Sequence, residues 1–130
     1  MTKAFWLPIN NAEPENNPPR VFELEDRLVD PAKGGYEAFR TMTGEWGERV
    51  QSQPLREMGL AMYVDEVGRL KNLSPNLYAT RRLYPDLICG EVLIVSELQT
   101  AEDLYIKDMS AVQIGWLQTL VNLVNKHHNM

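Results

Sequence analysis

Glu91-Val92-Leu93-Ile94-Val95-Ser96 decides how the rest of the chain is read. Four apolar residues stand in a row, and three of them (Val92, Ile94, Val95) are β-branched, which stiffens χ1 and favours extended backbone. The run is too short for a helix and has no polar alternation, so it reads as a strand buried on both faces. Side chains alternate across a strand. Leu93 and Val95 are therefore expected on one face, and Val92 and Ile94 on the other. A strand of this kind needs a packed layer above and below it.

Upstream, Gly59–Val64 is a second strand, and Asp65-Glu66-Val67-Gly68 is a turn that leads into a short extended piece, Arg69-Leu70-Lys71. Ser74-Pro75 has the form of a side-chain cap followed by proline, which predicts a short helix to about Tyr84, closed by Pro85. Tyr36, Phe39 and Met42/Thr43 recur at helical spacing before Gly44, a left-handed stop, and Asp30-Pro31 offers the start of that helix. Trp46–Val50 is a short strand. Residues 3–9 and 20–24 read as two more strands, paired across a loop (10–19) of asparagines and prolines that cannot join a ladder.

Downstream, Thr100 with Asp103 resembles a capping box, and Met109, Val112, Trp116, Leu120 and Leu123 form an apolar stripe. An amphipathic helix over about 101–125 is expected. The fold class is thus α+β: a small mixed or antiparallel sheet of four to five strands, two short helices near 35–43 and 75–84, and the longer C-terminal helix. The 130 residues suit a single domain, 1–130, and 44% hydrophobic against 24% charged residues is ordinary globular usage.

Composition excludes several function classes. Cys89 is the only cysteine, so neither a disulfide framework nor a thiolate metal cluster can form, and its apolar neighbours Leu87 and Ile88 make it a small buried hydrophobe. The formal charge is −5, from 13 basic and 18 acidic groups; residues 1–68 hold 12 acidic and 7 basic, whereas the rest balances at 6 and 6. That pattern opposes nonspecific nucleic-acid binding, which rests on many phosphate contacts. Neither an 18-residue apolar run nor a basic-then-apolar leader is visible, so no membrane association and a cytoplasmic setting are expected.

The chemistry-bearing motifs are few. The chain lacks a phosphate-binding GxxxxGK[ST] or GxGxxG loop, HExxH, GxSxG and CxxC, and its two histidines, His127 and His128, are adjacent at the end. Nucleophilic triads and thiol dyads have no internal base, so no catalytic residue, no metal ligand and no cofactor is assigned. Asp65 and Glu66, with Glu48 or Glu91, are the one carboxylate set that hard cations would accept; the same residues read equally as an acidic hairpin turn. Arg81-Arg82, with Arg69 and Lys71 upstream, is the single basic concentration. Tyr78 and Tyr84 interleave with it and Asn76 lies close by. Guanidinium forks beside aromatic faces suit a phosphorylated or nucleotide ligand, though a solvated face or a partner contact uses the same residues. Consecutive helical residues diverge, so only one arginine of the pair would serve such a pocket. Trp6, Trp46 and Trp116 read as core or interface anchors.

Several stretches taken in order carry a likeness. They are Gly44-Glu45-Trp46-Gly47-Glu48-Arg49-Val50, Asp65-Glu66-Val67-Gly68-Arg69-Leu70, Leu73-Ser74-Pro75-Asn76, Ala79-Thr80 and Asp86-Leu87-Ile88-Cys89-Gly90-Glu91-Val92-Leu93-Ile94-Val95. Together they resemble an uncharacterised family of small domains of unknown function found in bacteriophages, prophages and plasmids, over about residues 36–96. The chain departs from that pattern where Pro75 directly precedes Asn76. The resemblance implies a mobile-element accessory protein, placed in the host cytoplasm and acting on host machinery or defence.

Three functions are carried forward. The first is non-catalytic binding of a host or defence protein, with homo-oligomers formed through Trp116, Leu120 and Leu123. The second is sequestration of a small anionic signalling ligand by Arg69, Asn76, Tyr78, Arg81, Arg82 and Tyr84. The third is a carboxylate-dependent metal enzyme.

Overall fold

The computed structural model describes residues 2–9, 18–25, 35–68, 70–99, 101 and 104–128. Val92 to Ser96 lie in the central strand, β5 (Val92–Gln99). Strand β1 (Thr2–Leu7) pairs with one side of it and β4 (Leu60–Asp65) with the other, so Leu93 stands opposite both Trp6 and Tyr63. Outside β1 lies β2 (Arg20–Leu24), and outside β4 lies β3 (Gly47–Val50), giving the order β2-β1-β5-β4-β3 with every pairing antiparallel.

A sixth strand, β6 (Leu104–Lys107), exceeds the expected four to five. Ser96 stands opposite both Leu60 and Lys107, so β6 uses the same side of β5 as β1 and continues in line with it. The seam is closed by Lys3 N–H donating to Asp108 Oδ1 at 2.8 Å and by Met109 N–H donating to the Lys3 carbonyl at 3.4 Å. Residues 104–107 had been expected to be helical. Tyr105 and Ile106 favour extended backbone, and the long β5 offers them a ladder.

The face assignment of β5 holds. Val92 and Ile94 join one buried cluster, Leu93 and Val95 the other, and all four are fully buried. Burying such a side chain stabilises the fold by about 1.5–3 kcal/mol. On the first face lie Leu55 of α2 (Gln53–Glu57), Leu117, Val121 and Val124 of α3 (Ala111–His128), and the loop residues Tyr78, Leu83 and Ile88. On the second face, Ala38 and Phe39 of α1 (Tyr36–Thr43) cover Trp6, Tyr63 and Leu93. The sheet is the middle layer.

Helix α1 ends as expected: Gly44 takes φ 77° and donates its N–H to the Arg40 carbonyl at 2.7 Å. The proposed start at Asp30-Pro31 and the cap at Thr100 and Asp103 lie outside the described residues. Helix α2 was not foreseen, although Ser52-Gln53-Pro54 carries its signal; Ser52 Oγ accepts from Leu55 N–H at 3.4 Å.

Two helix expectations are corrected. No helix spans 75–84. Asn76 N–H donates to the Ile88 carbonyl at 2.7 Å and Gly90 N–H to the Ser74 carbonyl at 2.9 Å, which ties this segment to residues 88–90. Asn76 Oδ1, rather than Ser74, caps a single turn by accepting from Tyr78 and Ala79 N–H at 3.2 and 3.3 Å, and Arg81 breaks that turn with φ 61°. Leu70 and Lys71 are turn residues, not extended.

The C-terminal helix begins at Ala111 rather than 101. Its box is Ser110 with Gln113: Ser110 N–H donates to Gln113 Oε1 at 2.9 Å, and Gln113 N–H to Ser110 Oγ at 3.1 Å. Its stripe is also rotated. Gln113, Leu117, Val121 and Val124 face inward, while Val112 and Leu123 are 74% and 52% exposed. No helix of the described residues is long and apolar enough to cross a membrane.

Candidate functional site

The six residues grouped as an anion pocket separate. Asn76 is fully buried, and its amide donates to the carbonyls of Leu7, Gly90 and Pro8 at 2.9, 3.0 and 3.3 Å. Tyr78 is buried too; its hydroxyl donates to Asn125 Oδ1 at 2.8 Å, and burial pushes the phenol above its ordinary pKa. Both side chains spend their polar groups on the fold. Arg81 and Arg82 are exposed, and Arg82 donates to the Leu77 carbonyl at 3.0 Å. Arg81, Arg82 and half-buried Tyr84 do meet, in a hollow of about 390 Å³ against Ser52 and Pro54. Arg69 lies outside the described residues.

The carboxylates do not converge on an ion. Asp65 Oδ1 accepts from Val67 N–H at 2.9 Å, and its Oδ2 accepts from Lys71 at 2.9 Å. Lys71 also donates to Glu45 at 2.7 Å, and these two bonds hold the ammonium above its ordinary pKa. Glu91 lines a separate hollow, where burial raises its carboxyl. Among the described residues, no three His, Cys, Asp or Glu side chains are placed to hold a metal ion.

Sequence reasoning missed a second charged group, on the α1 face. Arg49 of β3 forms a two-pronged pair with Glu97 of β5, Nε–Oε2 3.0 Å and Nη2–Oε1 2.5 Å. The hydrogen bond to Glu97 raises the Arg49 pKa. The Tyr63 hydroxyl donates to Glu97 Oε2 at 3.4 Å and accepts from Gly35 N–H at 3.0 Å, which ties the entry of α1 to the sheet. Burial pushes this phenol up to about 12. Every member of the group has a partner inside the fold.

A further cleft, of about 390 Å³, lies between β3, β4 and the 84–89 segment. Its floor is Val50, Val64, Ile88 and Cys89. Val67, Leu70 and Leu87 stand at its mouth, and Leu70 is 84% exposed. Glu48, Glu66 and Asp86 line it as well, and among the described residues no lysine or arginine does. Gly68 holds the cleft together: a Cβ there would lie 2.6 Å from the Cys89 carbonyl oxygen, so only glycine lets the 65–68 turn reach the 88–90 segment.

The proposed interface residues also divide. Trp116 and Leu120 pack partly against the core, and Leu123 faces outward with Val112. An apolar cleft with carboxylates at its rim can seat a side chain or a strand. No family model matches the chain, and no curated protein or solved structure matches it.

Proposed function

We propose that the protein is a non-catalytic binding domain that docks another protein at the cleft beside β3, an accessory protein of phage or plasmid type directed at a host or defence protein. One observation carries this reading: Val67, Leu70 and Leu87, all exposed, gather at the mouth of one apolar-floored cleft. Scattered exposed apolar residues are normal, whereas a contiguous set with a polar rim is the anatomy of an interaction site.

Capture from host lysate by the parent chain and by a Leu70→Asp/Leu87→Asp variant tests it, with thermal denaturation checking that both are folded. The reading expects a protein retained by the parent and lost by the variant. Identical capture by both contradicts it.

A second reading, binding of a small phosphorylated ligand, is favoured by the meeting of Arg81, Arg82 and Tyr84 in one hollow. Calorimetry with a nucleotide panel on the parent and on Arg81→Ala and Arg82→Ala separates it from the first. Heat that disappears with either arginine supports this second reading, and no heat from any nucleotide removes it.

A further inference from the structure

We infer that the cleft takes an extended, lysine- or arginine-bearing segment of the partner, which adds to β3 as a further strand of the sheet. The inference rests on the binding-domain reading and specifies the chemistry of the occupant.

Among the described residues, strand β3 pairs only with β4. The pairing Glu48↔Val64, with Glu66 N–H donating to the Trp46 carbonyl at 3.2 Å, fixes which backbone groups face which way. In an antiparallel ladder the bonded pairs alternate. Trp46, Glu48 and Val50 therefore aim their backbone groups at β4, and Gly47 and Arg49 aim theirs outward. Among the described residues, no hydrogen bond reaches those outward groups. They offer two donors and two acceptors to an incoming strand.

Side chains decide what that strand carries. Glu48 and Val50 lie on the cleft face, next to each other in the strand's two-residue repeat. An added strand places alternate side chains on that same face, a basic one beside Glu48 and an apolar one beside Val50. Glu66 extends the negative rim. Asp65 adds little, because Lys71 pairs with it. On the opposite face Arg49 is already bound by Glu97, so its charge is offset and does not repel a basic segment. The chemistry selected is basic-x-apolar in an extended chain.

A second copy of this chain fits poorly when its dyad falls on a charged residue of the edge. Pairing two β3 strands about a dyad at Glu48 sets glutamate against glutamate, and centring the dyad on Arg49 sets arginine against arginine. Like charges directly opposite are destabilising.

A random-peptide display library selected on the immobilised full chain tests the proposal. The expected result is a consensus with Lys or Arg two residues from an apolar position, bound about tenfold more weakly by a Glu48→Lys/Glu66→Lys variant. Both glutamates are exposed, so that variant keeps its fold. A consensus without basic residues, or basic peptides held equally well by the charge-reversed variant, overturns the inference. The Leu70→Asp/Leu87→Asp variant separates the two failures. Non-basic peptides that this variant loses leave the docking reading standing and remove only the basic strand. An absence of any peptide that depends on the cleft removes both.

Discussion

The side-chain amide of Asn76 donates to the main-chain carbonyl of Leu7 at 2.9 Å, across 69 positions of sequence. The same nitrogen also reaches the carbonyls of Gly90 and Pro8, while its oxygen caps the turn at Tyr78 and Ala79. One buried residue thereby fixes where β1 ends, where β5 begins and how the loop between β4 and β5 lies on the sheet. That loop supplies the outer wall of the cleft.

Replacing Asn76 with alanine leaves several buried backbone groups without partners. An unmet buried polar group costs about 1–3 kcal/mol, so the Asn76→Ala variant should lose at least about 2 kcal/mol in urea denaturation. A loss under about 0.5 kcal/mol would show that this amide does not hold the loop.

The contrast between β5 and this loop shows which parts of the fold the sequence makes legible. β5 is encoded locally: four apolar residues leave no polar face, so burial on both sides follows from composition alone. Ser74-Pro75 carries an equally local helix signal, but it is overridden by bonds to residues 7, 8, 88 and 90 that no window of sequence contains. Helix α3 was misphased for a related reason. Gln113 is polar yet occupies an inward position, because its Nε2 donates to the Met58 carbonyl at 2.8 Å and its other atoms close the capping box.

That rotated register makes a prediction for α3. Leu117→Ala should destabilise by about 2–5 kcal/mol, the usual cost of emptying a core leucine site, whereas Val112→Ser and Leu123→Ser should each stay within about 0.5 kcal/mol. Comparable losses at Leu123 and Leu117 would restore the stripe read from the sequence.

The phenol of Tyr63 predicts a pH effect. Its pKa in the folded chain is about 12, against an ordinary 10.0, because burial disfavours the phenolate. A raised acid favours the protonated folded state. Its contribution is complete below the unfolded value and is lost as pH rises from about 10 to about 12. Tyr63→Phe should therefore be less stable than the parent at neutral pH, by about 1 kcal/mol for the hydrogen bond from Gly35, and should show a shallower decline in the alkaline range. Parallel curves for parent and variant would contradict this. Tyr78 and Lys71, also raised, contribute equally to both and cancel in the comparison.

The candidate site was far less legible than the sheet. Its walls come from residues 48 and 50, 64–68 and 70, and 84 and 86–89, which only the fold brings together. Leu70 was readable as an apolar residue near a turn, but its exposure depends on Lys71 bending back to Asp65 and Glu45. Arg81 and Arg82 drew attention as a charged pair. Without the expected helix, and with Arg81 left-handed, both arginines line one hollow instead of diverging.

The central claim is that a partner strand joins the sheet at β3, and amide hydrogen exchange tests it most directly. The probe is the strongest peptide from the display selection, added to the intact protein. Gly47 and Arg49 amides should exchange markedly more slowly with peptide bound, while Glu48 and Val50, already paired with β4, should change little. Slowed exchange confined to β2 or α3, with Gly47 and Arg49 unaltered, would contradict the account.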